Sequence, residues 1–308
     1  MNLVYQKTLK KSISFRGIGL HTGQQSDVKI CPAPVNHGIV FKRIDLNSNN
    51  LIPALYNNVS ETFLCTKLKN YADACVSTVE HLLAALYLTG VDNALIEINA
   101  EEVPIMDGSA KNFVELINNS GLEVQKEKIQ YLFVTKELEL KSNKKFISIR
   151  PSNNSYEIEF MLNYDNKVIG KQKNKVNLFD NDDVVDIYSS RTFCLLEDIE
   201  KIKAKGLAKG GSLDNAIVVD EISVLNKNGL RNTREFVNHK ILDMCGDFYL
   251  SGHRIIGDVN CIHGGHQLSC DFIKLLKNDK NFYTIKTLDE KSDKKVIFTT
   301  QEQYLATA

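Results

Sequence analysis

Along the first hundred residues, apolar positions alternate with polar ones or run together briefly. TLKKSISF, DVKICPA, GIVFKRI and NALIEIN read as strands on that pattern. Between them the period lengthens. Ser77-Thr78-Val79-Glu80 opens a helix through HLLAALYL, with a T–x–E start as a capping signal and Gly90 as its stop. A second helix follows IMDGSAK through NFVELINNSG, ended by Gly121. Residues 119–130 (NSGLEVQKEKIQ) read as a linker. Strands resume at YLFVTKELELK, FISIRP and SYEIEFMLNY, and a polar, loop-like stretch fills 165–186. A helix near 195–205, a Gly-rich turn (KGLAKGGSLDNA), the strand AIVVD and a helix over 234–251 complete the pattern. Strands followed by helices occur twice, which predicts an α+β fold in each half and two related domains, 1–124 and 125–308.

The halves also match each other. VEHLLAAL is followed by GVDNALIEI, the loop MDGSA and NFVELI; VNHKILD is followed by GDVNCIH, the loop GGHQLS and DFIKLL. His81 precedes Asp107 by 26 residues and His239 precedes His266 by 27. A duplicated unit puts His81 and His239 on related helices that could meet across a pseudo-two-fold axis.

The 234–251 helix carries the first candidate chemistry. His239, Asp243 and Asp247 span about an 80° arc, while Val237, Ile241, Met244, Cys245 and Phe248 gather opposite. The plain reading is a packed face and a solvated polar face, yet Phe236 and Leu250 share the polar side. His239 and Asp243 at i and i+4 could supply two metal ligands, and the duplication nominates His81 as a third. Glu80 can flank the open coordination position as a proton acceptor, or simply sit in a first helical turn. In His263-Gly264-Gly265-His266, His266 could stay protonated beside a carboxylate, with Asp247 as partner; a tight turn with a surface histidine reads as well.

Composition narrows the classes. The chain has 308 residues, 43% of them hydrophobic, enough for about two domains. Its 38 basic and 38 acidic residues cancel, so no bulk field argues for nucleic acid. Seven scattered cysteines without a CxxC pair fit reduced thiols. No signal-peptide core and no membrane-length apolar run occur, so a soluble, cytoplasmic protein is expected. HExxH, GxSxG and GxxxxGK[ST] are absent.

Several strings together resemble a known family: GIGLHTG, CPAPVNHGIVFKRIDL, STVEHLLAAL, PIMDGSA, SRTF, GGSLDNAIVVD, REFVNHKILDMCGD and HGGH. The chain is similar over most of its length to the UDP-3-O-acyl-N-acetylglucosamine deacetylases, zinc amidases of bacterial lipid A synthesis. The resemblance implies a β-α-α-β sandwich with the active site between the domains, in a monomer that removes an N-acetyl group from an acylated UDP-sugar. It implies zinc (or Fe2+) held by His81, His239 and Asp243, with Glu80 as general base. It implies His266 as acid or electrostatic stabiliser, oriented by Asp247, and Thr192 as an oxyanion donor. Phe193 and Lys240 match sugar and nucleotide contacts, and the GLHTG segment, with Leu20 and His21, lies near the site. Leu196, Ile199, Ala208, Leu213, Ala216 and Val218 match an acyl passage in an insert near 190–220. Two positions depart: His263 and Asn238 stand where members often carry a permanent cation, with consequences for phosphate contact if these positions meet it. Rival readings are a zinc hydrolase of altered substrate and a degenerate binder of the same acylated UDP-sugar.

Overall fold

The computed structural model describes residues 4–180, 182 and 184–288. Six α-helices lie among them: α1 (Glu80–Thr89), α2 (Lys111–Ser120), α3 (Val184–Ser189), α4 (Leu196–Ala204), α5 (Glu235–Tyr249) and α6 (His266–Asn278). With several sheets they make a mixed α+β fold.

The strand order repeats. In the first half the sheet runs Ile13–Ile18, Gln25–Pro32, Ala94–Ile98, Ile39–Arg43, Leu51–Pro53. In the second it runs Leu138–Ser142, Lys145–Arg150, Arg254–Ile262, Tyr156–Asn163, Lys171–Asn177. In each, the third and fourth strands pair parallel and their neighbours antiparallel. A second pairing repeats too. Tyr5–Leu9 pairs antiparallel with Leu122–Lys128 and touches the start of the first central strand through a parallel Thr8–Asn93 bridge. Gln130–Val134 likewise pairs antiparallel with Tyr283–Thr287 and parallel with Arg254–Ile256. One helix precedes each central strand (α1, α5) and one follows it (α2, α6).

The helices face one another between the sheets: α1 packs on α5, α2 on α1, and α6 on α5. Every residue of α1 except Thr89 is buried, and every residue of α5 except Lys240. A helix enclosed all round belongs at the centre of a fold, not at its surface. Of the two readings of His239, Asp243 and Asp247, the solvated polar face is excluded, because all three are buried. The approach of α1 to α5 needs a glycine. A Cβ on Gly246 would stand 2.0 Å from the Glu80 carbonyl oxygen. That contact places the first turn of α1 against the second half of α5.

Three local readings change. Residues 119–130 are no linker: Leu122–Lys128 is a strand, satisfied by Tyr5–Leu9. The stretch 165–186 contains the edge strand Lys171–Asn177, whose polar, lysine-rich sequence suits a solvent-facing edge. The T–x–E signal before α1 makes no side-chain cap. Thr78 sits at φ +56° and gives its hydroxyl to Glu102 instead. The glycine stops hold, with Gly90 at φ +86° and Gly121 at φ +72°.

Candidate metal centre and cavity

His81, from the first turn of α1, meets His239 and Asp243, one turn apart on α5. Their potential ligand atoms all lie within 4.8 Å of one another. Asp243 Oδ1 stands 3.4 Å from His81 Nε2 and 3.3 Å from His239 Nε2. A tetrahedral metal ~2.0–2.1 Å from each donor separates its ligands by roughly 3.3–3.4 Å, so these two spacings fit a group that could hold a metal. The donors are also correctly prepared. Asp243 Oδ1 is buried without a hydrogen-bond partner, while Oδ2 accepts from Lys240 Nζ at 2.9 Å. His239 Nδ1 lies 3.1 Å from the Ser190 carbonyl, which fixes the tautomer that turns the Nε2 lone pair toward Asp243. Burial lowers the His239 pKa to about 3, keeping the imidazole neutral as a ligand must be. Burial works against the Asp243 charge, but His239 and Lys240 outweigh it and hold that carboxyl well below its usual range.

A second polar group adjoins the first. His266, the opening residue of α6, places Nδ1 2.9 Å from Asp247 Oδ2 and Nε2 3.7 Å from Glu80 Oε1. Burial opposes a charge on His266, but Asp247 and Glu80 overcome it and raise its pKa to about 10. Burial also raises the Glu80 pKa, against the pull of His266 and His81. The His266 imidazole thus sits between the carboxyl groups of Asp247 and Glu80, an arrangement that favours its protonated form.

Both groups open on a cavity of about 820 Å³. Its walls include Glu80, His81, Thr192, His239, Asp243 and His266. Leu20, His21, Phe193 and Lys240 join them, with the Lys240 ammonium 5.4 Å from the centre of the Phe193 ring. The lining also takes in Leu196, Ile199, Ala208, Leu213, Ala216 and Val218, which come together along one wall-forming insert. Thr192 is held by its backbone: its N–H donates to Gly108 O at 2.7 Å and its C=O accepts from Ile217 N–H at 2.8 Å. Gly108 must lack a side chain, because at φ +85° its Cβ would lie 2.1 Å from Asn215 O.

Three expected residues stand off the walls. Asp247 is behind His266, as an orienting partner should be. His263 is half-buried at φ +54°, its N–H donating to Met161 O, and is not in the lining. Asn238 is 1% exposed, its amide bonded to Asn174 and Asn232, so it belongs to the packed interior.

Other contributors escaped the sequence reading. Phe63, Leu64, Ile202 and Leu225 extend the apolar wall, and Lys145 and Lys203 add cations to it. Glu102, 1% exposed, accepts from the His21 and Thr22 backbone N–H groups and from the Thr22 and Thr78 hydroxyls, which pins the GLHTG loop. Thr66 touches two carboxylates at once. None of these sits in a short motif whose chemistry is visible without the fold.

Residues 6–278 match the model of the family described as LpxC, UDP-3-O-acyl N-acetylglycosamine deacetylase. The chain belongs to that family. A UDP-3-O-acyl-N-acetylglucosamine deacetylase from Shewanella frigidimarina is 40% identical over 298 residues, 96% of this chain and 97% of the relative. One from Teredinibacter turnerae is 40% identical over 290 residues, 94% and 95% of the two chains. One from Shewanella denitrificans is 39% identical, again over 96% and 97%. The buried His-His-Asp cluster fits a metal-dependent hydrolase. Among the described residues no helix is long and apolar enough to cross a membrane.

Proposed function

We propose that the chain hydrolyses the N-acetyl amide of a UDP-3-O-(3-hydroxyacyl)-N-acetylglucosamine, giving the free amine and acetate, the committed step of lipid A synthesis. The observation that carries this reading is the juxtaposition of the His81–His239–Asp243 cluster with the Glu80–His266–Asp247 group at one apolar-walled cavity. Zinc, or Fe2+ by ligand type, held by the three ligands would polarise the amide carbonyl and bring a water's pKa to ~7.

The chain's own groups do the rest. Glu80 accepts the proton of the attacking water at its carboxylate. The Thr192 hydroxyl, free of the bonds that hold its backbone, donates to the oxygen on which negative charge develops. His266 stabilises that charge as an imidazolium and delivers its Nε2 proton to the departing amine, with Asp247 fixing the ring. Phe193 borders the sugar, and Leu20 lines the cavity as a further substrate contact. Lys240, with its ammonium between Asp243 and the Phe193 ring, faces the nucleotide side. Leu196, Ile199, Ala208, Leu213, Ala216 and Val218 receive the acyl chain. In this reading the chain has two units, 1–124 and 125–308, and the repeated strand order of the halves favours it. The protein acts as a cytoplasmic monomer on this small-molecule substrate, without nucleic acid.

The test is a deacetylation assay on acyl-UDP-GlcNAc substrates of graded chain length, with and without chelator. Acetate release that depends on the acyl chain and stops with chelator is expected. Turnover untouched by chelator, or none on any chain length, would contradict the reading.

A further inference from the structure

Thr66 is fully buried just before the strand Lys67–Lys69, beside the first turn of α1. Its C=O accepts from Val79 N–H, which ties the segment to the start of that helix. Its backbone N–H donates to Glu80 Oε2 at 3.0 Å, and its hydroxyl donates to Asp247 Oδ1 at 2.6 Å. The other oxygen of each carboxylate faces His266: Glu80 Oε1 at 3.7 Å from Nε2 and Asp247 Oδ2 at 2.9 Å from Nδ1. The four residues therefore close a ring, Thr66–Glu80–His266–Asp247–Thr66, with Thr66 joining through its backbone N–H on one side and its hydroxyl on the other. Among the described residues no other donor reaches Glu80 Oε2 or Asp247 Oδ1.

We propose that Thr66 is a positioning residue for the hydrolysis. It fixes which oxygen of Glu80 faces the reacting water and, through Asp247, the plane of the His266 imidazole. The proposal rests on the roles given above to Glu80 and His266. A carboxylate with only one oxygen committed can rotate about its last bond, and a buried one that loses its donor will turn toward another. Holding both carboxylates from one residue keeps the proton acceptor and the proton donor in register with each other. Thr66 itself is absent from the cavity walls, so it has no direct call on substrate.

Thr66→Val keeps the shape and the backbone N–H and removes only the hydroxyl; Thr66→Ser keeps the hydroxyl. Loss of a comparable orienting partner costs roughly 10- to 100-fold in activity. For Thr66→Val, kcat is expected to fall by about that much, with KM within about twofold and metal content as in the parent. Thr66→Ser is expected to recover most of the loss. In a His266→Gln background the valine substitution should cost little more, because the group it positions is already gone. Unchanged kcat in Thr66→Val, a serine variant as poor as the valine one, or full additivity with His266→Gln would overturn the proposal. A crystal structure of Thr66→Val reads the same claim without turnover. The carboxylate of Asp247 and the ring of His266 should be displaced from their present places, and unmoved groups would count against it. An inactive parent chain would contradict the proposed function, while that crystal structure would still decide the role of Thr66.

Discussion

Glu80 and His81 are adjacent in sequence and diverge on the helix, so one can be a ligand while the other stays free for proton transfer. Changing Glu80 to Ala should therefore separate the two tasks. Turnover should drop by about 10²- to 10⁴-fold, the usual contribution of a positioned acid or base, with metal retained. Loss of the metal in that variant would show Glu80 to be a ligand and not a base. His266 offers a second check, made on the metal-free chain. Its folded pKa, about 10, lies above the ~6.5 of an unfolded histidine. The His266–Asp247–Glu80 contacts thus stabilise the metal-free chain fully below about pH 6.5, and that contribution disappears as pH rises through about 10. NMR of the imidazole in the metal-free protein should show it protonated well above neutrality; a midpoint near 6.5 would refute the carboxylate sandwich. At this scale HxxxD and GGH were visible in sequence. Thr66 and Glu102 were not, because their partners are long-range and only the fold brings them close.

The helices α1 and α5 cross where Gly246 lies on the Glu80 backbone. Gly246→Ala would force the pair apart at the turn that carries Glu80 and His81, near the turns that carry His239 and Asp243. Overpacking of this kind costs about 1–3 kcal/mol. The added effect expected here is weaker metal binding, measurable by competition with a chelator; parent-like affinity would mean that the crossing does not set the ligand spacing. Helix positions and their glycine stops were legible because local periodicity and left-handed caps are local facts. The burial of α5 was not. The stripe of His239, Asp243 and Asp247 looks solvated until α1, α6, Ser190 and Thr66 supply the partners that make its burial tolerable. The strand Leu122–Lys128 is hidden in the sequence for a related reason: its polar segment gains strand form from Tyr5–Leu9, more than a hundred residues earlier.

For the whole molecule, duplication is the feature that turns two helices into one site. The sequence repeat around VEHLLAAL and VNHKILD pointed to it, and the matching strand order of the halves bears it out. The cavity draws its polar end from that meeting and its apolar wall from Leu20, Phe63 and Leu64 of the first half together with residues between 196 and 225 of the second. The wall's residues were placed by the family resemblance, because an apolar run alone does not say whether it lines a passage or fills a core. Narrowing the wall, as with Ala208→Phe, should shift preference toward shorter acyl chains in the graded-chain assay; an unaltered profile would move the passage elsewhere.

The central claim is that one residue of the first half and two of the second bind a single catalytic metal. Metal analysis of the parent chain beside His81→Ala and Asp243→Ala tests it directly. About one equivalent of metal per chain is predicted for the parent, with tight binding and turnover lost together in both variants. Full metal content in either variant would contradict the account.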